Sequence, residues 1–406
     1  MNKMNISVIG TQSHEGIICG DAFNIIGTDP VYYYPGSLEQ LSSDRPDAVI
    51  LSREWNPDIR LAAAELRRQN IPIIYVMDGV IEWSYIWNNQ SFVLPHGTVL
   101  QPLIANYLCV IGRHPARILA SLGLADRINI VGLPRLDGID RYRCQIAGNK
   151  PKIVIATAKT YSHNLEHKLA VKRAVMDLKL FFDENQWMES VWRISHELAD
   201  ELGICPQTEG SMVDVLRDAA GLLSFTSTSL LEAMLLGLPT AQVDYRSVPI
   251  YVQTAWEIRC ADHIESVIQE LLYPPDHKLA YQAHCLEDEL EFGSASQRLA
   301  DVILRAVMEK KNMNSPAPMR DPCGQLDYRL YHSQLSAFAM SPKSLLQYEL
   351  DASHKALLET RIKLEETRHM LEDHQQKLRR IISHIVLGPI VRIWARIINP
   401  NLFVHK

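Results

Sequence analysis

Several features that mark particular protein classes are missing from this chain. Seven cysteines occur among its 406 residues, and no two of them form a C-x-x-C pair. Such spacing argues against a zinc site and against a disulfide framework. No stretch reaches the roughly 18 uncharged apolar residues that a membrane-spanning helix needs. We therefore expect a cytoplasmic protein with reduced thiols.

The common nucleotide-binding and nucleic-acid-binding signatures are also missing. No G-x-G-x-x-G follows the first predicted strand, and no Walker A motif occurs, which disfavours a dinucleotide oxidoreductase or a P-loop enzyme. Lys and Arg number 41 against 47 Asp and Glu, for a net charge of -6, so nucleic acid is not an expected partner. No D-x-D pair stands at a suitable strand end, so the sequence gives no indication of a required metal. We predict a site with neither metal nor cofactor.

The chain does contain a regular alternation of apolar runs and amphipathic segments. Runs such as "NISVIG", "DAVILS" and "IPIIYVMDG" alternate with helical patterns, and the alternation restarts at "PKIVIATAKT" after a pause. This order predicts doubly wound parallel sheets. We expect an α/β fold of two Rossmann-like domains, over residues 1–145 and 146–312, with a ligand in the cleft between them.

A different composition follows these domains. "NSPAPMRDPCG" predicts a linker over 313–343. In the predicted helical extension 344–406, apolar residues recur every seven positions, the spacing of a coiled-coil seam: Leu350, Leu357, Leu364, Leu371, Leu378 and Ile385. The other seam positions are polar. A weak or heterotypic coiled coil, associating with itself or a partner, and an extended spacer both fit.

The end of the extension is basic and apolar at once. Residues 377–406 contain six Lys and Arg and no acid, the composition of a helix that lies on an anionic membrane surface. Packing onto a neighbouring domain is the alternative. We expect a cytoplasmic protein with a possible peripheral contact at the inner membrane.

A cluster of hydroxyl residues precedes one predicted helix of the second domain. "SFTSTSLLEAMLLGLPT" places five hydroxyls in six positions at the end of a strand. One hydroxyl suffices to cap a helix, whereas a helix N-terminus with several donors can bind an anion. We predict a phosphate site here, with Thr226, Ser227, Thr228 and Ser229 as donor-binding residues, and ordinary helix capping is the alternative.

Two more polar segments end strands of the same predicted sheet. "ATAKTY" contains Thr160, and "WRISHE" contains Arg193 and His196. The carboxyl ends of parallel strands meet at one edge, so we expect Thr160, Arg193 and His196 to face the donor nucleotide there. Arg193 and His196 could hold its phosphate by charge-assisted hydrogen bonds. His196 could also stabilise a leaving phosphate, although a lone histidine is more often structural.

Three carboxylates are further candidates. Glu232 follows Ser229 by three residues, as in a capping box, and it could alternatively bind ribose hydroxyls. In the first domain, "MDGVIEW" places Asp78 and Glu82 at a strand end as candidate general bases. In "GLPRLDGID" we expect a local ion pair between Arg135 and Asp137.

These motifs together resemble the GT-B glycosyltransferases, in which a basic-x-His segment and an S/T-rich turn before "EA-x-x-x-G-x-P" bind the donor nucleotide. The order of "MDGVIEW", "IVIATAKTY", "WRISHE" and "FTSTSLLEAMLLGLPT" is similar to that in the β-Kdo transferases of capsule and lipopolysaccharide O-antigen assembly. The resemblance spans about residues 70–250.

The resemblance implies a metal-independent glycosyltransferase with CMP-Kdo as donor and a lipid-linked or polysaccharide acceptor. Asp78 and Glu82 would face the acceptor, and Arg193, His196, Glu232 and the hydroxyl cluster the donor. One departure is Ala158, which stands where that family has a nucleophilic Asp. Polyol-phosphate transferases that use CDP-glycerol, UDP-HexNAc 2-epimerases and a non-catalytic scaffold remain alternatives.

The basic end generates a testable prediction. Truncation near residue 340 should leave a folded, nucleotide-binding protein that no longer sediments with anionic liposomes at low salt, because each Lys or Arg near such a surface contributes about 1 kcal/mol. Neutral liposomes serve as the control. Equal sedimentation of the truncated and full-length proteins would assign the extension to packing or assembly.

Overall fold

The structure is a computed structural model. It describes residues 4–34, 37–52, 57–81, 103–139, 150–158, 165–225, 227–246 and 252–312, and scattered residues between 357 and 377. The chain divides into two compact units, 1–334 and 335–406. In the second unit the described residues are helical, and Leu357, Leu364 and Leu371 are exposed. The predicted linker and the basic end, apart from Lys377, lie outside the described residues.

The first unit contains two parallel sheets. The strands are β1 (Ile6–Ile9), β2 (Val31–Tyr33), β3 (Ala48–Leu51), β4 (Ile73–Val76), β5 (Tyr107–Val110), β6 (Ile128–Ile130), β7 (Lys152–Ala156), β8 (Glu189–Arg193), β9 (Gly221–Ser224), β10 (Thr240–Val243) and β11 (Trp256–Ile258). The helices are α1 (Ile17–Cys19), α2 (Ala22–Ile26), α3 (Leu38–Asp44), α4 (Pro57–Arg68), α5 (Arg113–Leu119), α6 (Leu165–Glu184), α7 (His196–Leu202), α8 (Met212–Leu216), α9 (Ser229–Leu235), α10 (Ile264–Leu272), α11 (Asp276–Glu289) and α12 (Ala295–Asn312).

The two sheets have the same winding. Their strand orders are β2-β1-β3-β4-β5-β6 and β11-β10-β9-β7-β8, and every pairing is parallel. Strands such as β3 ("AVIL") and β4 ("IIYV") are apolar throughout because both faces of the sheet are covered. The strand order reverses between β1 and β3 in one sheet and between β7 and β9 in the other, because successive strands are first added on one side and then on the other. These are the switch points at which α/β sheets bind ligands.

The second domain has a core of its own. Side chains of α6 and α10 pack against β7, β9, β10 and β11, and Phe182 makes an edge-to-face contact with Trp192. Trp256 is 1% exposed, and its indole N–H donates to Glu270 at 2.8 Å. A buried indole needs such a partner.

The last helix of the first unit belongs to the other core. α12 lies within the predicted second domain, 146–312, yet Leu299, Ile303 and Val307 pack with Ile6, Val8 and other side chains of the first sheet. Asp137 accepts hydrogen bonds from the first two N–H groups of the helix, Ala295 at 2.9 Å and Ser296 at 2.8 Å. The chain therefore crosses back to complete its first domain.

A second crossing contact joins α5 to the end of α11. His114 Nδ1 lies 2.6 Å from the Glu289 carboxylate, and Arg117 forms an ion pair with Asp288. The hydrogen bonds from Arg117 lower the pKa of Asp288 below its usual range. A Cβ at Gly112 would come within 2.2 Å of the Glu289 carbonyl oxygen, so glycine permits this close approach.

The position of α12 can be tested by a core substitution. Leu299→Ala should lower the free energy of unfolding by about 2–5 kcal/mol, because it removes a buried side chain and leaves a cavity. Met308→Ala on the same helix is the control, since Met308 is 57% exposed. Urea denaturation followed by circular dichroism measures both. Equal midpoints for the two variants would contradict the packing of α12 on the first sheet.

Candidate functional site

The hydroxyl cluster lies at the switch point of the second sheet, between β9 and α9. The Ser224 hydroxyl is buried, lies 2.8 Å from the Ser229 hydroxyl and can donate to the Ala156 carbonyl at 3.2 Å. These two serines thus link the ends of β7 and β9 to the start of the helix. Ser227 and Thr228 instead line a cavity. Thr226 lies outside the described residues.

The opposite wall comes from the loop after β4. The backbone N–H of Val80 donates to Thr228 Oγ1 at 3.3 Å, which joins the two domains directly. A Cβ at Gly79 would come within 2.0 Å of the same oxygen, so any other residue would require Thr228 or the loop to move. Asp78 is exposed and also lines the cavity. Glu82 lies outside the described residues.

The floor of the cavity contains an ion pair between the domains. Arg135, in the turn Pro134–Leu136, donates to the Glu232 carboxylate at 2.6 Å. The carboxylate side chain is 8% exposed and the guanidinium side chain 23%. Glu232 therefore bonds Arg135 rather than forming a capping box. The expected Arg135–Asp137 pair is wrong, because Asp137 caps α12 instead.

These groups enclose a cavity of about 360 Å³. Its lining comes from both domains: Asp78, Gly79, Val80, Arg135, Ala158, Met212, Ser227, Thr228, Ser229 and Glu232. A second cavity, of about 300 Å³, lies behind α9 between residues 133–139 and 290–295. We take the first as the candidate site because it lies at the carboxyl ends of β4, β7 and β9, where open α/β sheets bind ligands.

Arg193 and His196 lie at the same sheet edge but have other surroundings. The Arg193 guanidinium donates to the carbonyls of Gln207, Glu209 and Gly210 at 3.0–3.2 Å. It thereby holds the loop before Met212, a cavity residue. These bonds use three of the five N–H donors of a guanidinium, and the predicted contact of Arg193 with a phosphate stays a prediction.

The other donor-side residues on this edge are described only in part. His196 is the first residue of α7 and is exposed, and Ser195 caps that helix through Leu198 N–H at 3.4 Å. Thr160 lies outside the described residues. His196 is not among the described side chains that line the cavity. Their predicted contacts with a donor nucleotide stay predictions.

Sequence reasoning missed a polar cluster at the switch point of the first sheet. Glu15, only 2% exposed, accepts the Thr11 N–H at 2.6 Å and the Ser52 hydroxyl at 3.2 Å. His14 Nδ1 lies 3.1 Å from the same carboxylate. Thr11 and His14 follow β1, and Ser52 follows β3. The signal is "GTQSHEG" directly after the first strand, a polar segment without the G-x-G-x-x-G fingerprint of dinucleotide-binding folds.

Local backbone geometry positions this carboxylate. Residues Gln12–Gly16 form a single π-helical turn, a feature that often occurs at functional sites. Gly10 has φ +141°, and a Cβ there would come within 2.1 Å of the Glu15 carboxylate. Burial, and then the charge of Glu15, raise the pKa of Cys19 to about 12. Burial, followed by Cys19 and Glu15, also raises the pKa of Tyr32.

Other predicted features can be placed within the described ranges. The described cysteines are unpaired: Cys19, Cys109, Cys205, Cys260 and Cys285. Across the described part of the chain, no cluster of three or more His, Cys, Asp or Glu is arranged to hold a metal ion. No described helix is long and apolar enough to cross a bilayer.

Comparison with solved structures identifies the architecture. The chain is similar to a UDP-GlcNAc 2-epimerase of Methanocaldococcus jannaschii in complex with UDP-GlcNAc and UDP (TM-score 0.53, 13% identity, 74% of this chain and 100% of that one). It is also similar to the Staphylococcus aureus MnaA–UDP co-structure, with a TM-score of 0.54 and 14% identity over 75% of this chain and 96% of that one. A third similar structure is the UDP-GlcNAc 2-epimerase of Neisseria meningitidis bound to UDP-GlcNAc, with a TM-score of 0.51 and 13% identity over 75% of this chain and 100% of that one.

The comparisons confirm the predicted α/β architecture of two domains of the GT-B type. No protein-family model matches the chain. No curated protein sequence matches it significantly. At 13–14% identity the similarity establishes the fold alone.

The ion pair in the cavity floor can be tested by a double-mutant cycle. Arg135→Ala should destabilise the protein by about 1–3 kcal/mol, because it leaves the buried Glu232 carboxylate without its partner. The cycle with Glu232→Ala should give a coupling energy of about 0.5–3 kcal/mol. Glu65 and Arg68 form the control pair, since they are 44% and 62% exposed and three residues apart on α4. Coupling no larger than that of the control would show that the pair does not join the domains.

Proposed function

We propose that the chain is an enzyme that binds a nucleotide-activated sugar in the cleft and transfers the sugar to an acceptor hydroxyl. The observation that carries this proposal is the 360 Å³ cavity at the switch point of the second sheet, lined by both domains. A donor on one wall and an acceptor on the other is the arrangement that group transfer needs, because it replaces a bimolecular encounter by a fixed geometry.

The phosphate of the donor would lie against Ser227 and Thr228. Both hydroxyls reach the cavity, and they lie at the positive end of the α9 helix dipole. Arg135 contributes a positive charge from the other domain. These groups can stabilise the negative charge that develops on a leaving phosphate, which agrees with the predicted metal-free reaction.

In this proposal Glu232 binds the ribose hydroxyls of the donor, the second of the two roles predicted for it. Its carboxylate faces the cavity beside Arg135, and a carboxylate can accept two hydrogen bonds from a ribose diol. On this assignment Arg135 orients Glu232 in the free enzyme and bridges to the phosphate when the donor binds. Asp78, on the first-domain wall, stays on the acceptor side.

The nature of the residue at position 158 bears on the mechanism. Ala158 lies in the cavity wall, in the place where the resemblance to β-Kdo transferases requires a nucleophilic Asp. An alanine cannot form a covalent glycosyl intermediate. We therefore favour direct displacement by the acceptor. CMP-Kdo as donor, and a capsule or lipopolysaccharide acceptor, stay predictions from the sequence resemblance.

Epimerisation of a UDP-sugar is the second candidate. The similar structures from M. jannaschii and N. meningitidis are named UDP-GlcNAc 2-epimerases, and the S. aureus structure contains UDP. An epimerase would change UDP-GlcNAc in the absence of any acceptor, whereas a transferase would release nucleotide only as the sugar is transferred or hydrolysed. Chromatography of the sugar and the nucleotide after incubation distinguishes the two.

Nucleotide binding is tested by calorimetry with UDP, CMP, CDP and GDP. One of these should bind, and at 100 times its dissociation constant it should add about 2.7 kcal/mol of stability. Ser227→Ala and Thr228→Val should each weaken binding by about 2- to 13-fold, because a typical hydrogen bond contributes about 0.5–1.5 kcal/mol.

Ser266→Ala is the matched control, since its hydroxyl donates to the His263 carbonyl on the exposed side of α10. Equal nucleotide affinity in all three variants would contradict the placement of the phosphate at the hydroxyl cluster. Failure of the unmodified protein to bind any of the four nucleotides would overturn the proposed function.

A further inference from the structure

The geometry points to a catalytic dyad of His14 and Glu15, in which His14 is the general base that activates the acceptor hydroxyl. This inference rests on the proposed function and extends it to residues outside the cavity wall described above. It is carried by the position of the pair in the fold, by the bonding of the carboxylate and by the exposure of the imidazole.

The pair lies where a ligand is expected. The loop after β1 and the end of β3 flank the switch point of the first sheet, and Glu15 joins them through Thr11 and Ser52. β4 is two strands from β1, a separation of about 10 Å. Its loop supplies Asp78 and Val80 to the cavity, so His14 lies along the edge that forms the acceptor wall.

A further contact places the dyad beside the cleft. α1, which directly follows the π-helical turn, packs against the turn Pro134–Leu136, and Arg135 of that turn forms the cavity floor. A Cβ at Gly20, just after α1, would come within 2.7 Å of the Pro134 carbonyl oxygen. The segment that carries His14 and Glu15 is therefore fixed against the element that carries Arg135.

The bonding of Glu15 suits an orienting role. The carboxylate accepts from Thr11 N–H and Ser52 hydroxyl while its side chain is almost fully buried. It contacts His14 at Nδ1, so Nε2 is the nitrogen that remains for an outside partner. The imidazole side chain is 38% exposed, and no group among the described residues hydrogen-bonds Nε2. A buried carboxylate that holds an accessible imidazole by one nitrogen is an arrangement that catalytic bases use.

The neighbouring titratable groups do not compete for this role. Cys19 on α1 and Tyr32 on β2 are ionisable side chains near Glu15 among the described residues, and burial raises the pKa of both. They stay neutral at physiological pH.

The proposed step balances in protons and electrons. His14 Nε2 removes the proton of the acceptor hydroxyl as its oxygen forms a bond to the anomeric carbon. The bond from the anomeric carbon to the phosphate oxygen breaks, and its electron pair leaves with the nucleotide. The imidazolium formed at His14 is stabilised by the Glu15 carboxylate and then releases its proton to water. Glu15 is a positioning residue in this scheme.

The test measures nucleotide release from UDP-GlcNAc and from CMP-Kdo, together with nucleotide affinity. His14→Gln should reduce kcat by about 100-fold or more, since general base catalysis contributes about 10²–10⁴, while nucleotide affinity changes less than twofold. Glu15→Gln should lower kcat with KM unchanged. Ser52→Ala, which removes one bond to the carboxylate, should lower it less and covers the case in which Glu15→Gln fails to fold. His277→Gln, at an exposed position of α11, is the matched control.

The outcomes separate the dyad from the proposed function. A His14→Gln variant that keeps kcat within threefold overturns the dyad and leaves nucleotide binding intact. If the unmodified protein binds nucleotide but releases none from either sugar, diethyl pyrocarbonate decides: modification of His14 slowed by bound nucleotide supports the dyad, and an unaffected rate overturns it. Absence of nucleotide binding overturns the proposed function itself.

Discussion

The crossing of the chain back onto its first sheet is the constraint on which the other features depend. α12 contributes a row of apolar side chains to the first core, and Asp137 caps its N-terminus. Since α12 follows the whole second domain in sequence, its docking ties the end of that domain to the first. Arg298 strengthens the connection by donating to the Val131 carbonyl at 2.8 Å. With the domains tied in this way, the carboxyl ends of both sheets border one cleft.

Close backbone approach is the second requirement of that cleft. Gly79 admits Thr228 from the opposite domain, and Gly112 admits the end of α11. In each case the contacting atom lies nearer than a Cβ would allow, so the two glycines act on the joint between the domains rather than on the stability of either. The cleft is consequently narrow at Gly79 and opens beside it into the cavity.

Charge is distributed unequally between the two switch points. The second sheet presents hydroxyls and a helix N-terminus, and Arg135 adds a cation beside Glu232. The first presents a buried carboxylate that holds an imidazole. An anionic donor suits the former and a hydroxyl that must lose a proton suits the latter. This asymmetry is the physical basis for assigning donor and acceptor to different domains.

Local sequence determined much of the architecture. Apolar runs of four or five residues between amphipathic segments sufficed to predict parallel strands and two α/β domains, because such runs are stable only when both faces of a sheet are covered. The hydroxyl turn before α9 was likewise predictable, since strand end, turn and helix start are adjacent in sequence.

Only the tertiary structure decided the partners of the charged groups. Arg135 and Glu232 are 97 residues apart. Arg135 pairs with Glu232 rather than with the nearby Asp137, because Asp137 caps α12. The Arg193 guanidinium donates hydrogen bonds to carbonyls of the loop before α8. The buried Glu15 carboxylate accepts a hydrogen bond from Ser52, because the strand order places the end of β3 beside the loop after β1. Strand order and the return of α12 depend on contacts distant in sequence, which no local pattern encodes.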